Sequence, residues 1–169
     1  MNIDDIDVFV FDFDGVLTNN LVYLNQEGLE SVVCSRVDGL AFDVLRKLNK
    51  PAFILSTEKN SVVEMRAKKL KIPVIQGVVD KVLAIKELAV ENNYNLKNFL
   101  YVGNDLNDYL VMKVCGYTAC PSDSHLKIKE ISKYILTTKG GDGIVRELLE
   151  QVFNLDFIEI LYSNKGVKK

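Results

Sequence analysis

Short unbroken apolar runs alternate along this chain with stretches whose apolar positions recur every three or four residues. Residues 6–13, IDVFVFDF, are too continuously apolar for a half-exposed strand and predict one buried on both faces of a parallel sheet. Residues 21–24 and 29–34 flank NQEG and predict a hairpin closed by a glycine-containing turn, within about residues 19–36. Asp38 is placed to cap a helix over 38–49 with Leu40, Ala41, Val44, Leu45 and Leu48 on its inner face, and Pro51 stops it. A strand over 52–55, a helix over about 61–70 and a strand over 73–76 follow. Asp80 is placed to cap a helix over 81–91 whose inner face is Val82, Leu83, Ile85, Leu88 and Ala89. Residues 99–102 predict another short buried strand, after which GNDLND leads into a helix ending at 114. Weaker strands fall at 117–119 and 134–136, around a short helix near 126–132, and the loop KGGDG precedes a last helix over 144–153. The alternation predicts an α/β fold, a Rossmann-like, doubly wound parallel sheet with right-handed crossovers. One domain is expected over residues 1–169, with a tail from about 155 that is partly flexible and ends in the polar SNKGVKK.

Composition narrows the classes of function. The 21 basic and 23 acidic side chains nearly balance, with no long basic stripe before the tail, so nucleic acid is not an expected partner. Cys34, Cys115 and Cys120 make no CxxC pair and leave one over, which argues against a disulfide framework or a zinc site and for a reducing cytoplasm. No basic leader and no run of about 18 apolar residues occurs, so neither export nor a membrane is expected. His125 is the only histidine and reads as a surface or cap residue, which leaves carboxylates, lysine, hydroxyls and amides to carry any chemistry.

The apolar run of the first strand ends in Asp12 and Asp14, one residue apart and followed by Gly15. On an extended chain such a pair projects from one face, and two carboxylates so close to apolar surroundings call for a cation or polar substrate. A lone aspartate after a strand is ordinarily a turn or cap residue. Here four groups fall where ligands bind in doubly wound sheets, beyond the carboxyl ends of strands: Asp12 with Asp14, Ser56 with Thr57, Lys81 at a helix start, and Asn104 with Asp105 and Asp108. Oxygen ligands for magnesium, a cation and hydroxyl for phosphoryl oxygens, and a carboxylate able to form an aspartyl phosphate together match phosphoryl transfer.

In order, DFDGVLT, the strand ending in Ser56, Lys81 and GNDLND resemble the four motifs of the haloacid dehalogenase superfamily. The resemblance implies a two-step, Mg2+-dependent phosphatase. Asp12 is its nucleophile, Asp14 its general acid and then base, and Ser56 and Lys81 hold the phosphoryl oxygens. Magnesium is implied on Asp12, the Asp14 carbonyl and the acidic end of GNDLND, with Asp105 and Asp108 as further carboxylates. Asn104 stands where most of the superfamily has aspartate, which lowers the negative charge of the site by one.

No cap domain fits between these motifs. The capless layout, the hairpin and the late GGDGIVRE segment resemble the phosphatases of keto-deoxy sugar acids, which act on octulosonate 8-phosphate or nononate 9-phosphate as homotetramers whose neighbouring subunit covers each site. Glu58, Arg66 and Lys69 resemble the nine-carbon, sialic-acid-type group, and Gly15, Thr57 and Arg146 complete the implied substrate contacts, with Arg36 and Asp38 in reserve. From the residues alone RAKKLK also reads as a solvated basic stripe, and Gly140 to Gly143 as a turn and cap. Two other readings stay open: a non-catalytic oligomerisation or regulatory domain of nucleotide-sugar (CMP-sialate) synthesis, suggested by Asn104, and a phosphoacceptor receiver, which the order of the motifs opposes.

Overall fold

A computed structural model of the chain describes residues 1–163. Its centre is a six-stranded, wholly parallel sheet of β1 (Val8–Phe11), β4 (Ala52–Leu55), β5 (Val74–Ile75), β6 (Phe99–Val102), β7 (Tyr117–Cys120) and β8 (Tyr134–Ile135), in the order β5-β4-β1-β6-β7-β8. The strand order switches sides at β1, which lies between β4 and β6, with Phe11 opposite Ile54 on one side and Val102 on the other. All four β1 side chains are fully buried, because helices cover both faces.

Alternation along β1 sorts the core into two layers. Phe9 and Phe11 face α1 (Val37–Lys47), α2 (Ser61–Leu70) and the C-terminal helices, where Phe11 meets Phe42 edge-on at 5.4 Å and Phe9 meets Phe153 at 5.6 Å. Val8 and Val10 face α3 (Lys81–Asn92), α4 (Tyr109–Val114) and α5 (Leu126–Ile131), packing with Ile85, Leu88, Tyr101 and Met112. Truncating either phenylalanine to alanine is worth about 3–5 kcal/mol at such positions. Among the described residues no helix is long and apolar enough to cross a membrane.

The hairpin is present but shorter than its apolar flanks predict: β2 (Tyr23–Leu24) pairs with β3 (Glu30–Ser31), and a bridge between Thr18 and Cys34 closes its base. The Asn25 side chain makes its turn by accepting from the N–H groups of Glu27 and Leu29 at 3.0 and 2.8 Å.

Several expectations are corrected. Asp38 does not cap its own helix; α1 begins at Val37, and the Asp38 carboxylate is buried and turned elsewhere. Leu40 and Leu83 face solvent, while Phe42 and, on α3, Ala84 and Lys81 take the inner face. The last predicted helix is α6 (Ile144–Glu147) continued by a π-helical turn, Leu148–Val152. The chain beyond 155 then forms α7 (Phe157–Tyr162), capped by Asp156 and seated by the buried Phe157 against the first core layer. Of SNKGVKK, residues 164–169 lie outside the described residues.

Candidate active site

Three strand ends build the site. β1 delivers Asp12, whose N–H donates to the Val102 carbonyl at 2.9 Å, β4 delivers Ser56, and β6 runs into Gly103 and Asn104. Asp12, Asp14, Ser56, Thr57, Glu58, Asn104 and Asp105 line one cavity of about 360 Å³.

Lys81 stands behind Asp12 as the first residue of α3, positioned by the Asp80 cap, which accepts from the N–H groups of Val82 and Leu83. Its Nζ lies 2.9 Å from Asp12 Oδ1 and 2.7 Å from Asp108 Oδ1, with all three side chains buried. Burial pulls the Lys81 pKa down, but the two carboxylates outweigh it, so the ammonium is retained. Asp12 is pushed up to about 8, chiefly by burial and then by Asp108, against the opposing pull of Lys81.

Asp108 has no free oxygen to offer a metal. Its Oδ1 accepts from Lys81 and, at 2.8 Å, from the Tyr101 hydroxyl, and its Oδ2 accepts from the Asn104 and Asp105 N–H groups at 2.9 and 3.4 Å. It therefore anchors Lys81 and the GNDLND turn, which corrects its expected place among the metal ligands. Burial and the nearby Asp108 and Asp12 charges raise the Tyr101 pKa well above its usual value, so the phenol stays a donor. Asp105 sits at the exposed rim, where its Oδ1 caps the next turn by accepting from the Leu106 N–H at 2.7 Å.

Asn104 faces the cavity differently. Its Oδ1 is buried and has no hydrogen-bond partner among the described residues, a costly state for an amide oxygen unless something binds there. Together with Asp12 and Asp14 it gives an all-oxygen donor set that fits a hard divalent cation such as magnesium.

Asp14 sits on the turn after β1. The Thr18 hydroxyl donates to its Oδ1 at 3.4 Å and accepts from the N–H groups of Gly15 and Asn20 at 3.1 and 3.2 Å. Burial, and then the Glu58 charge, raise the Asp14 pKa, which keeps a proton available for donation. Ser56 Oγ accepts from the Glu58 N–H at 3.1 Å, fixing Glu58 at the cavity wall.

The remaining expected substrate contacts do not converge in this chain. Arg66 donates to the Ser35 carbonyl at 2.5 Å beside Asp38 and does not line the cavity; Lys69 is exposed away from it. Arg146 pairs with Glu150 at 2.9 Å and lies over the Phe157 ring. Arg36 is exposed, and His125 caps α5 by accepting from the Lys127 N–H. Sequence reasoning gave no role to Thr18, Asn20 or Tyr101. Thr18 closes the quoted DFDGVLT stretch, and Tyr101 is the one polar tip in the buried FLYV strand, so both carried a signal.

Comparison with known proteins gives one family. Residues 45–148 match the haloacid dehalogenase-like hydrolases, a stretch that includes Ser56, Lys81 and Asn104 to Asp108 and begins after Asp12 and Asp14. The 3-deoxy-D-manno-octulosonate 8-phosphate phosphatase KdsC of Salmonella typhi is 30% identical over 87% of this chain and 79% of its own length. Among solved structures, a putative hydrolase of this family from Streptomyces avermitilis superposes with a TM-score of 0.86 at 39% identity, over 89% of this chain and 86% of that one. The 3-deoxy-D-manno-octulosonate 8-phosphate phosphatase of Moraxella catarrhalis, solved with magnesium, phosphate and KDO, superposes at 0.84 with 29% identity, over 94% and 88%.

Proposed function

The chain belongs to the haloacid dehalogenase-like hydrolases, and from that premise we propose that it is a magnesium-dependent phosphatase releasing a keto-deoxy sugar acid from its phosphate monoester. The observation that carries this reading is the single cavity lined by Asp12, Asp14, Ser56 and the unpartnered oxygen of Asn104, with the Lys81 ammonium 2.9 Å from Asp12.

In the first step an Asp12 oxygen attacks phosphorus, the bond from phosphorus to the sugar oxygen breaks, and Asp14 gives its proton to the departing alkoxide. In the second, Asp14 takes a proton from a water that attacks the aspartyl phosphate, freeing inorganic phosphate and Asp12. Lys81 and Ser56 stabilise the charge gathering on the phosphoryl oxygens. Asp12, the Asp14 carbonyl and Asn104 would hold the magnesium ion, whose charge offsets the repulsion between nucleophile and phosphoryl group; Asp105 is a rim candidate.

The sugar belongs on the far side of Asp14. A second cavity of about 230 Å³ shares Asp14, Asn20 and Glu58 with the first and adds Val22, Val32 and Val62. A general acid must face the leaving group, so the shared wall is the Asp14 side. Glu58 there can accept from sugar hydroxyls and supports a nine-carbon, sialic-acid-type 9-phosphate as substrate. Octulosonate 8-phosphate is the second reading, favoured by the names of the curated relatives. The exposed apolar hairpin, with Leu21, Tyr23, Leu24 and Leu29 each more than half exposed, supports a homotetramer in which a neighbouring subunit covers each site. Three free cysteines support a cytoplasmic setting.

The test is inorganic phosphate release from eight- and nine-carbon sugar acid phosphates, with and without magnesium. Magnesium-dependent turnover of the nine-carbon substrate above the eight-carbon one is expected. Turnover of neither would return the chain to the reading of a non-catalytic domain.

A further inference from the structure

The segment from Thr137 to Arg146 crosses the active-site turn as a strap, and three carboxylates grip it by its backbone N–H groups. Glu147 accepts from Thr137 and Thr138, both at 2.7 Å, and Asp123 accepts from Gly140 at 3.0 Å. Asp38, on α1, accepts from Val145 at 2.9 Å and Arg146 at 3.3 Å. Only Asp38 among the three is fully buried, and it is more than 100 residues from its partners in sequence. Between these grips the strap touches the turn backbone to backbone. The Gly141 N–H donates to the Val16 carbonyl at 3.0 Å, and a Cβ on Gly140 would stand 2.1 Å from the Gly15 carbonyl oxygen and 3.0 Å from that of Thr18. Thr18 in turn donates to Asp14.

We infer that Asp38 is a positioning residue: by fixing the inner end of the strap it holds the turn from Gly15 to Asn20, and through Thr18 it aims Asp14 at the leaving group. Burial of Asp38 fits this use, since a carboxylate shielded from water holds the N–H groups at the inner end of the strap more tightly than one at the surface. The inference rests on the reading of Asp14 as the general acid, and its first test does not.

That first test is peptide-resolved hydrogen exchange on the full chain. Asp38→Ala should speed exchange about tenfold in the peptides covering both 137–146 and 15–20. Asp38→Asn, which keeps an oxygen acceptor, should leave both near wild type. Faster exchange in the strap alone would overturn the coupling. The second test compares leaving groups by kcat/KM, which reports the step through aspartyl phosphate formation. Asp38→Ala should cost about tenfold or more on a sugar acid phosphate, whose alkoxide needs the Asp14 proton. On acetyl phosphate, whose carboxylate leaves unaided, the loss should stay within about threefold. Equal losses on both would overturn the aiming of Asp14. Should Asp38→Ala fail to fold, Gly140→Ala lifts the strap with Asp38 intact and is expected to give the same exchange pattern and the same split. Unchanged exchange at 15–20 in that variant overturns the inference.

Discussion

The Asn104 side chain fills the space in which Gly15 would carry a Cβ, an atom that would stand 1.9 Å from Nδ2 and 2.7 Å from Cγ of Asn104. The glycine of DFDGVLT is thus required twice, for its φ of +77° and for the room it leaves the Asn104 side chain. Gly15→Ala should displace the amide and lower magnesium-dependent phosphate release by about 100-fold, more than the ~1 kcal/mol of local strain alone would do. Steady-state assays across a magnesium titration check this.

Asn104→Asp restores a negative charge next to Asp12 and Asp14. Half-saturation by magnesium should fall by about tenfold, the effect of one added formal charge at roughly 1.4 kcal/mol. Without metal the same variant should melt lower, because a third carboxylate then joins a site in which Asp12 already resists ionisation. Melting with and without magnesium would move in opposite directions relative to wild type.

Lys81→Met removes the cation between Asp12 and Asp108. Turnover should fall by about 10²–10³-fold, and the two buried carboxylates left without a cation should cost about 3–5 kcal/mol of stability. Tyr101→Phe, in contrast, removes one of the four hydrogen bonds to Asp108. It should cost about 1–2 kcal/mol of stability and change turnover much less. Urea unfolding and kcat measured on both variants separate the roles.

Burial pushes the Asp38 carboxyl up to about 6, against the lowering pull of the Arg146 and Val145 amides and the Arg66 charge. Its folded pKa lies above its unfolded one, so its contribution to stability is complete below about pH 4 and is lost as pH rises through about 6. Asp38→Asn keeps an acceptor without that charge. It should raise the melting temperature at about pH 7.5 by on the order of 5 °C and leave it unchanged near pH 4. An equal shift at both pH values would contradict the assignment.

Strands bounded by punctuation were legible in the sequence: 52–55 after Pro51 and 99–102 before Gly103 match the observed bounds to the residue. Helix faces were legible only where the first turn was read correctly. Lys81 turns inward to reach two carboxylates, and Leu83 is carried outward with 54% of its surface exposed, a rotation no apolar count reveals. Arg66 and Lys69 do lie on the same helix, but spacing does not say where their side chains reach: Arg66 turns to the Ser35 carbonyl, and neither lines the cavity. Asp38 was legible as a capping residue, though not as the cap of a helix a hundred residues away. The six-residue FIEILY helix is too short to declare a period; the Asp156 cap and the fit of Phe157 into the core fix it.

The central place of β1 also bears on synthesis. Its two partners, β4 and β6, begin at residues 52 and 99, so VFVF has no neighbour to pair with until they have been made. At about 5–20 residues per second that interval lasts several seconds, during which a bare β-rich segment is an aggregation hazard on the nascent chain. Asp4, Asp5 and Asp7 precede it, and Asp12 and Asp14 follow it. Like-charged gatekeepers on both flanks oppose edge-to-edge association of such segments. The two aspartates read as nucleophile and acid thus also protect the newborn strand that carries them.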